Sequence, residues 1–419
     1  VYYEENSKSR EAQYWKAYGH ELYEDYSRKI KVNKDVKQIA ATAVGDAKTD
    51  EEKIANLLTY CRKKLHNTNT EELMEQRGSK AYRTTLDTLK QGSGTPEEIS
   101  YAFAALAAAA GFEARVAKLA DRGTFLFSPN VMSAYFLNAS DIAVKINGNW
   151  KFYDVAALNL PPGVLSWREE GVPALIVDGK DSQFVTTPLF KAEESKIARF
   201  GTLKLSSDGD LEGEVREIFM GNKATEQRDR LALSNVAERE DALRNELKQR
   251  FASFEVTNVK FAGLDDLTKA VGVSYHIKVD GYAQRTAKRL FLKPAYFESG
   301  IGSFFTSDSR ELPVYFEYPW SESDVVTIQL PEGYQLDHAD APGLISFDPV
   351  GAYSVKMGVA DKNTLDYRRS LRFGNDQVLL FQQSAYPTIK QIFDRIYRAD
   401  NHLLTLKAEG GAPQAASRE

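Results

Sequence analysis

Apolar residues recur at helical spacing through roughly the first hundred positions and at strand spacing through much of the remaining chain. A tyrosine-rich stretch from Glu11 to Lys31 reads as helix, and Thr49-Asp50-Glu51-Glu52 opens another in which Ile54, Leu57, Leu58, Cys61 and Leu65 form one stripe. Its acidic start and the Arg62-Lys63-Lys64 exit complement the helix dipole. A further helix is predicted over 95–110. Thr95 fits its N-cap, Pro96 the first helical position and Glu98 the third, a capping box in which proline loses no hydrogen bond. Alanines at 102, 104, 105 and 107 to 110 favour helix, and Gly111 supplies the stop. Strand-like runs come next: ARVAKLA from 114, SDIAVKING from 140 and NWKFYDVA from 149, with Asn147-Gly148 as a hairpin signal. Helices followed by an antiparallel sheet predict an α+β domain over 1–190.

The pattern then becomes β-rich. GTLKLSSDGDLEGEVREIF alternates on either side of Ser206-Ser207-Asp208-Gly209-Asp210 and predicts a hairpin. One helical stretch is expected from Lys223 to Phe251, its Arg-Asp-Arg and Arg-Glu-Asp clusters forming a solvated face. More alternating segments occur at FEVTNVKF, AVGVSYHIKVDGYA, VYFEYPW, DVVTIQLPEGY, YSVKMGV, LDYRRSLRFG and QVLLFQQSAY, which together predict a β-sandwich-like domain over 191–407. A final helix, YPTIKQIFDRIYRADNHLLTL, is expected to pack through Ile389, Ile392, Phe393, Ile396 and Tyr397. The tail over 408–419 is low in complexity and reads as disordered.

Composition narrows the chemistry. The 54 Lys and Arg are interspersed with 59 Asp and Glu, a net charge of -5 without long single-sign blocks, which argues against nucleic acid as a partner. No apolar run reaches the ~20 residues of a membrane span. A start at Val1 without an apolar leader reads as a processed or trimmed piece of a longer precursor. The single Cys61 excludes an internal disulfide and, on its apolar stripe, is expected to be a buried hydrophobe. The five histidines, at 20, 66, 276, 338 and 402, show no metal-ligand spacing. Asp337-His338-x-Asp340 reads as a polar turn, and Asp208-Gly209-Asp210 as a turn rather than a calcium loop. No cofactor or metal is expected.

The stretch GSGTPEEIS…AAAAGFEARV, with Gly92, Gly94, Glu98, Gly111, Ala114 and Arg115 in frame, resembles the transglutaminase-like superfamily, in which a papain-like core carries a nucleophilic cysteine at the start of its central helix. NASDIAVKINGNWKFYDVAA is similar to the family's next element, with Asn138, Val144, Gly148, Trp150 and Asp154 in register. The resemblance places the catalytic triad positions at Pro96, Ala139 and Asp154, so that only the aspartate is kept. It also implies a bacterial, secreted or periplasmic protein with a β-rich region after the core, which LP-x-GY at 330–334 and YRAD at 397–400 fit.

That chemistry needs a thiolate and an imidazole partner; proline offers no nucleophile and alanine no base. The leading expectation is therefore a catalytically inactive transglutaminase-like protein that binds a peptide, protein or polysaccharide outside the cytoplasm. Thr95, Glu98, Asn138, Asp141, Trp150 and Tyr153 are its candidate cleft residues, although for Trp150 and Tyr153 core packing is the favoured use. The competing expectation is a hydrolase or acyltransferase using Thr95 or relocated carboxylates, with Glu97 or Glu98, Asp141 and Asp154 converging in one pocket. A purely structural spacer is the third.

Overall fold

The computed structural model describes residues 2–68, 84–231, 233–338, 340–361, 363–375 and 379–408. The chain forms two compact units, Val1–Leu189 and Phe190–Glu419.

In the first unit, helices α1 (Tyr2–Lys29), α2 (Lys34–Val44), α3 (Asp50–Lys64) and α4 (Thr85–Gln91) precede the central helix α5 (Pro96–Ala109). Every residue of α5 from Ile99 to Ala107 is buried. Its alanines leave the helix thin, so that α2, α3 and α4 and the strands behind it all approach closely. Five antiparallel strands, β1 (Glu113–Leu119), β2 (Ala139–Ile146), β3 (Asn149–Tyr153), β4 (Pro173–Ile176) and β5 (Gln183–Thr186), form a sheet in the order β3-β2-β1-β4-β5. The β2–β3 hairpin turns on Asn147 and Gly148, both with positive φ, the geometry that Asn-Gly favours. The sheet has two distinct faces. Val116, Ile142, Val144 and Tyr153 pack with α5, whereas Ala117, Leu119, Ala143 and Phe152 pack on the other side with Leu165, Val172, Ala174 and Ile176.

The second unit opens with the expected hairpin, β6 (Lys196–Leu205) and β7 (Leu211–Phe219). The helical stretch after it is two helices, α6 (Asn222–Leu231) and α7 (Val236–Arg250), because Asn235 and Glu238 build a capping box that starts a new helix. Arg228 is not part of a solvated face: it is 1% exposed and donates to the carbonyls of Gly263, Asp266 and Lys269. The strands β8 (Phe254–Ala262), β9 (Val271–Val279), β10 (Gln284–Thr286), β11 (Arg289–Leu292), β12 (Val314–Phe316), β13 (Trp320–Gln329), β14 (Tyr334–His338), β15 (Gly343–Phe347), β16 (Gly351–Asp361), β17 (Thr364–Phe373) and β18 (Leu379–Phe381) come after them. Helix α8 (Tyr386–Asp400) ends six residues earlier than its sequence pattern suggested, and Leu404–Ala408 forms β19. Leu404 and Leu406 are wholly buried at alternate positions of that strand, which overrides the helical reading. Ala408 thus belongs to a strand rather than to a tail; 409–419 lie outside the described residues. Tyr397, expected in the packed stripe, is 37% exposed, while Ile389, Phe393 and Ile396 are buried.

An eight-stranded sheet in the order β8-β9-β7-β6-β13-β17-β16-β15, antiparallel except for β6–β13, shares one core with the four-stranded sheet β10-β11-β19-β14. Across the middle strands of the larger sheet run two buried arginines. Arg199 donates to Asp324 at 2.7 Å and to Glu298 at 2.5 Å; Arg369 donates to Glu322 at 2.6 Å and to Asp400 at 2.8 Å. Tyr353 adds a hydroxyl to Asp400 at 2.6 Å.

Removing one partner of such a network strands the others without compensation. Arg369→Ala is expected to lower the unfolding free energy by about 3–5 kcal/mol. Arg28→Ala, which removes the exposed Arg28–Asp25 pair, is expected to cost less than about 1 kcal/mol. Urea denaturation of both variants measures the contrast.

Candidate functional site

The start of α5 is a completed cap. Thr95 Oγ1 accepts from the Glu98 amide at 3.3 Å and Glu98 Oε2 accepts from the Thr95 amide at 2.9 Å. Gly94 allows this closeness, since a Cβ there would meet the Glu98 side chain at 3.2 Å. Glu97 accepts from the Tyr101 hydroxyl at 2.6 Å. Each group that could act on a substrate is already bonded to the helix itself.

Two of the positions that the resemblance assigned to the triad, Ala139 and Asp154, lie in or beside the sheet. Lys118 on β1, the register partner of Ser140, feels the charge of Glu97, so the α5 start and the β2 start lie at the same end of the unit. Strand alternation turns Ala139 toward the face opposite α5, with Leu119, and Ser140 toward the helix. Asn138 is exposed and accepts from the Asp121 amide at 2.8 Å. Trp150 packs on the face away from α5, beneath Lys145, while Tyr153 is buried on the helix side with its ring 5.6 Å from that of Phe103. The six candidate cleft residues therefore do not converge.

Asp141 and Asp154 do meet. The β2–β3 register ends at Ile142↔Tyr153, so the next residue on each strand, Asp141 and Asp154, stands opposite the other on the face away from α5. A third carboxylate joins them from a turn, Glu169, and one oxygen from each of the three lies within 4.8 Å of the others. Backbone bonds hold that turn: the Glu169 amide donates to Ser166, its carbonyl accepts from the Thr187 hydroxyl at 2.6 Å, and the Arg168 carbonyl accepts from the Arg122 amide at 2.8 Å. Asp154 accepts from the Ala157 amide at 3.1 Å. Asp141 is 0% exposed and neither of its oxygens has a protein hydrogen-bond partner; Asp154 and Glu169 remain partly exposed. Glu98 takes no part, since it is bound into the cap.

Burial dominates the electrostatics here. It raises the pKa of Asp141, with Glu169 and Asp154 adding repulsion, and it raises that of Glu169 to about 8, with Asp154 and Asp121 adding to it. It raises Asp154 as well, offset by the Ala157 amide and by Arg62. Arg62 spends its N–H groups on the carbonyls of Asp154, Val155 and Leu160. Cys61, one residue away, is 0% exposed, and burial pushes its thiol up to about 12.

The second unit contains a cavity of about 400 Å³. Phe304, Phe316, Tyr318, Trp320 and Tyr397 wall it, and Arg369, Glu322 and Asp400 of the buried network reach it. Five carboxylates line it against two basic groups, Lys223 and Arg369. Arg369 and Arg199 hold Glu322 down to about 2 against the effect of burial, whereas burial lifts Asp400 to about 6 despite Arg369.

Sequence reasoning named Asp141 and Asp154 but missed Glu169. The signal for Asp141 was present in SDIAV: an acidic residue on the same strand face as Ala139 and Ala143. WREEGVP has no such periodicity, and only the fold brings Glu169 in.

A carboxyl whose pKa is higher in the folded than in the unfolded state costs stability as pH rises, because the unfolded chain then binds fewer protons. For Glu169 the window runs from the ordinary 4.5 to about 8. Chelator-treated protein is expected to lose thermal stability across this window, and Asp141→Asn to recover about 1–3 kcal/mol at pH 8. Calorimetry from pH 4 to 9 reads both.

Comparison with known proteins bears on this architecture. Residues 37–135 match the family model of the transglutaminase-like superfamily, and residues 288–406 match DUF3858, a domain of unknown function with a solved structure. No curated protein matches the chain. A crystal structure from Parabacteroides distasonis, described as that of a "putative protease", superposes with a TM-score of 0.51 at 11% identity, covering 94% of this chain and 58% of that one. This chain thus spans less than two thirds of the length of the protein it is similar to. At that identity the likeness speaks for the fold alone. The central helix packed on an antiparallel sheet and the β-rich region after it make this chain a mixed α+β protein with a transglutaminase-like core.

Proposed function

We propose that this chain is a non-catalytic, ligand-binding protein built on a transglutaminase-like core and acting outside the cytoplasm on peptide or polymer. One observation carries the reading: the only thiol in the sequence, Cys61, is fully buried in the core of the first unit and held neutral by that burial. A thiolate cannot attack from there. The position at the start of α5 belongs to Pro96, and the neighbouring Thr95 is engaged in the cap. The extracytoplasmic placement rests on the resemblance to secreted or periplasmic bacterial proteins.

The binding site best fitted to this role is the cavity of the second unit. Its size is that of a small-molecule or side-chain pocket, and its walls are aromatic over a charged floor. Glu298, Glu322 and Asp400 are paired with Arg199 and Arg369, which leaves Glu226 and Glu317, together with the aromatic rings, to favour a cation. A peptide or polymer presenting a primary amine is the ligand class that matches.

A second reading, hydrolysis by carboxylates, draws support from the meeting of Asp141 with Asp154. General acid–base work needs the carboxyl within reach of substrate, and a wholly buried Asp141 disfavours it.

Both readings are open to direct measurement. Amidase, isopeptidase and cross-linking assays on peptide libraries are expected to show no turnover; robust rates abolished by Thr95→Ala or Asp154→Asn would overturn the non-catalytic reading. In fluorescence titrations with Gly-Lys-Gly blocked by acetylation at its N-terminus, the free side-chain amine is expected to bind at least about tenfold more tightly than the Nε-acetyl form, and Phe304→Ala to weaken binding by about tenfold. Trp320→Phe serves to assign the signal to the cavity.

A further inference from the structure

The cluster of Asp141, Asp154 and Glu169 poses a problem that the protein alone does not solve. Three carboxylates approach within 4.8 Å, and none of them forms an ion pair with a basic side chain among the described residues. Asp141 faces the cluster fully buried with both oxygens unpartnered, and one oxygen of Glu169 is also buried without a partner. A buried carboxylate in that state is among the costlier arrangements a fold can hold. Arg62 moderates Asp154, but it does so from the backbone side, bonded to three carbonyls.

We propose that Asp141, Asp154 and Glu169 form a binding site for a hard divalent cation, with calcium preferred over magnesium and zinc. The distances permit it. Three oxygens no more than 4.8 Å apart can share one centre about 2.8 Å or less from each, a span that admits the roughly 2.3–2.6 Å of calcium–oxygen bonds. The donors are all oxygen, with no cysteine or histidine in the cluster, which disfavours zinc. Three carboxylates supply up to six oxygens if each binds through both, within calcium's usual range.

The surroundings also suit an ion. Along its own strand and on β1, Asp141 has only alanines as near neighbours on its face, Ala139 and Ala143 along β2 and Ala117 opposite in register on β1, so no long side chain from these positions fills the space in front of it. The partial exposure of Asp154 and Glu169 gives an approach from solvent, while Asp141 closes the inner side. The two outer ligands are preset by backbone bonds, Asp154 through Ala157 and Glu169 through Ser166 and Thr187.

The test uses the full chain stripped with EDTA and then titrated with calcium chloride or magnesium chloride, followed by isothermal titration calorimetry and thermal melting. The expected result is one equivalent of calcium bound, a rise in Tm of several degrees, and at least about tenfold weaker magnesium binding. Asp141→Asn and Glu169→Gln are each expected to weaken calcium at least about tenfold with circular dichroism unchanged, and terbium, added as a luminescent probe, to be displaced by calcium in the wild type but not retained by either variant. Glu169→Gln, at a partly exposed position, guards against a variant that fails to fold. Absence of saturable calcium binding, binding that survives both substitutions, or magnesium bound as tightly as calcium would overturn the assignment.

Discussion

Burying a carboxylate demands a compensating charge, a proton or a set of hydrogen bonds, and both units of this chain are organised around that demand. The second unit meets it with guanidinium groups. Arg199 and Arg369 each bind carboxylates through two or more N–H groups, and their planar forks hold four acidic residues against the middle strands of the large sheet. Tyr353 completes Asp400. Among its described residues, the first unit places three carboxylates together without an equivalent arginine. Arg62 is bonded instead to main-chain carbonyls just past β3, where it shapes the loop beyond that strand. The contrast in chemistry arises from this one difference in partners.

The transglutaminase-like core keeps its frame because the frame serves packing. Helix α5 is buried over two and a half turns, and its alanines let three helices and the sheet close around it. Thr95, Pro96 and Glu98 begin that helix in the way a buried helix needs, with its first amides satisfied by side chains. Cys61 tells the same story from α3: it fills a gap in the apolar stripe with Ile54, Leu57 and Leu58, and its sulfur contributes volume rather than reactivity.

Much of this was legible in the sequence wherever local chemistry decides structure. The capping boxes at Thr49 and Thr95, the Asn147-Gly148 hairpin and the turn at Ser206–Asp210 depend only on neighbours a few residues away. Readings that failed depended on distant partners. Leu404 to Leu406 continues a helical pattern on paper, but pairing with β11 and β14 makes Leu404–Ala408 a strand. Arg228 looks like one more charge on a solvated helix until the loop at 263–269 folds its carbonyls around it. Glu169 belongs to the same class: its turn is set by Arg122 and Thr187, at sequence separations that periodicity does not reach. Trp150 and Tyr153 pack into the core, the use their sequence context favoured over a cleft. Trp150 and Tyr153 are three apart on one strand, and alternation sends them to opposite faces.

Where the carboxylate cluster lies gives it a role distinct from the start of α5. Asp154 comes just after the end of β3, and Glu169 lies shortly before β4, so the two bracket the loop that crosses the face of the sheet away from the helix. The chain anchors that loop at both ends, through Arg62 at the carbonyls of residues 154, 155 and 160 and through Thr187 and Arg122 at the carbonyls of 169 and 168. Between these anchors the negative charges repel, and Asp141, on the central part of the sheet, cannot move away without breaking the β1–β2 ladder. A calcium ion at this point converts the repulsion into a link between the sheet and both ends of the loop. Since the unfolded chain does not hold the three carboxylates together, the ion stabilises only the folded form, and the first unit's stability comes to depend on the calcium concentration around it.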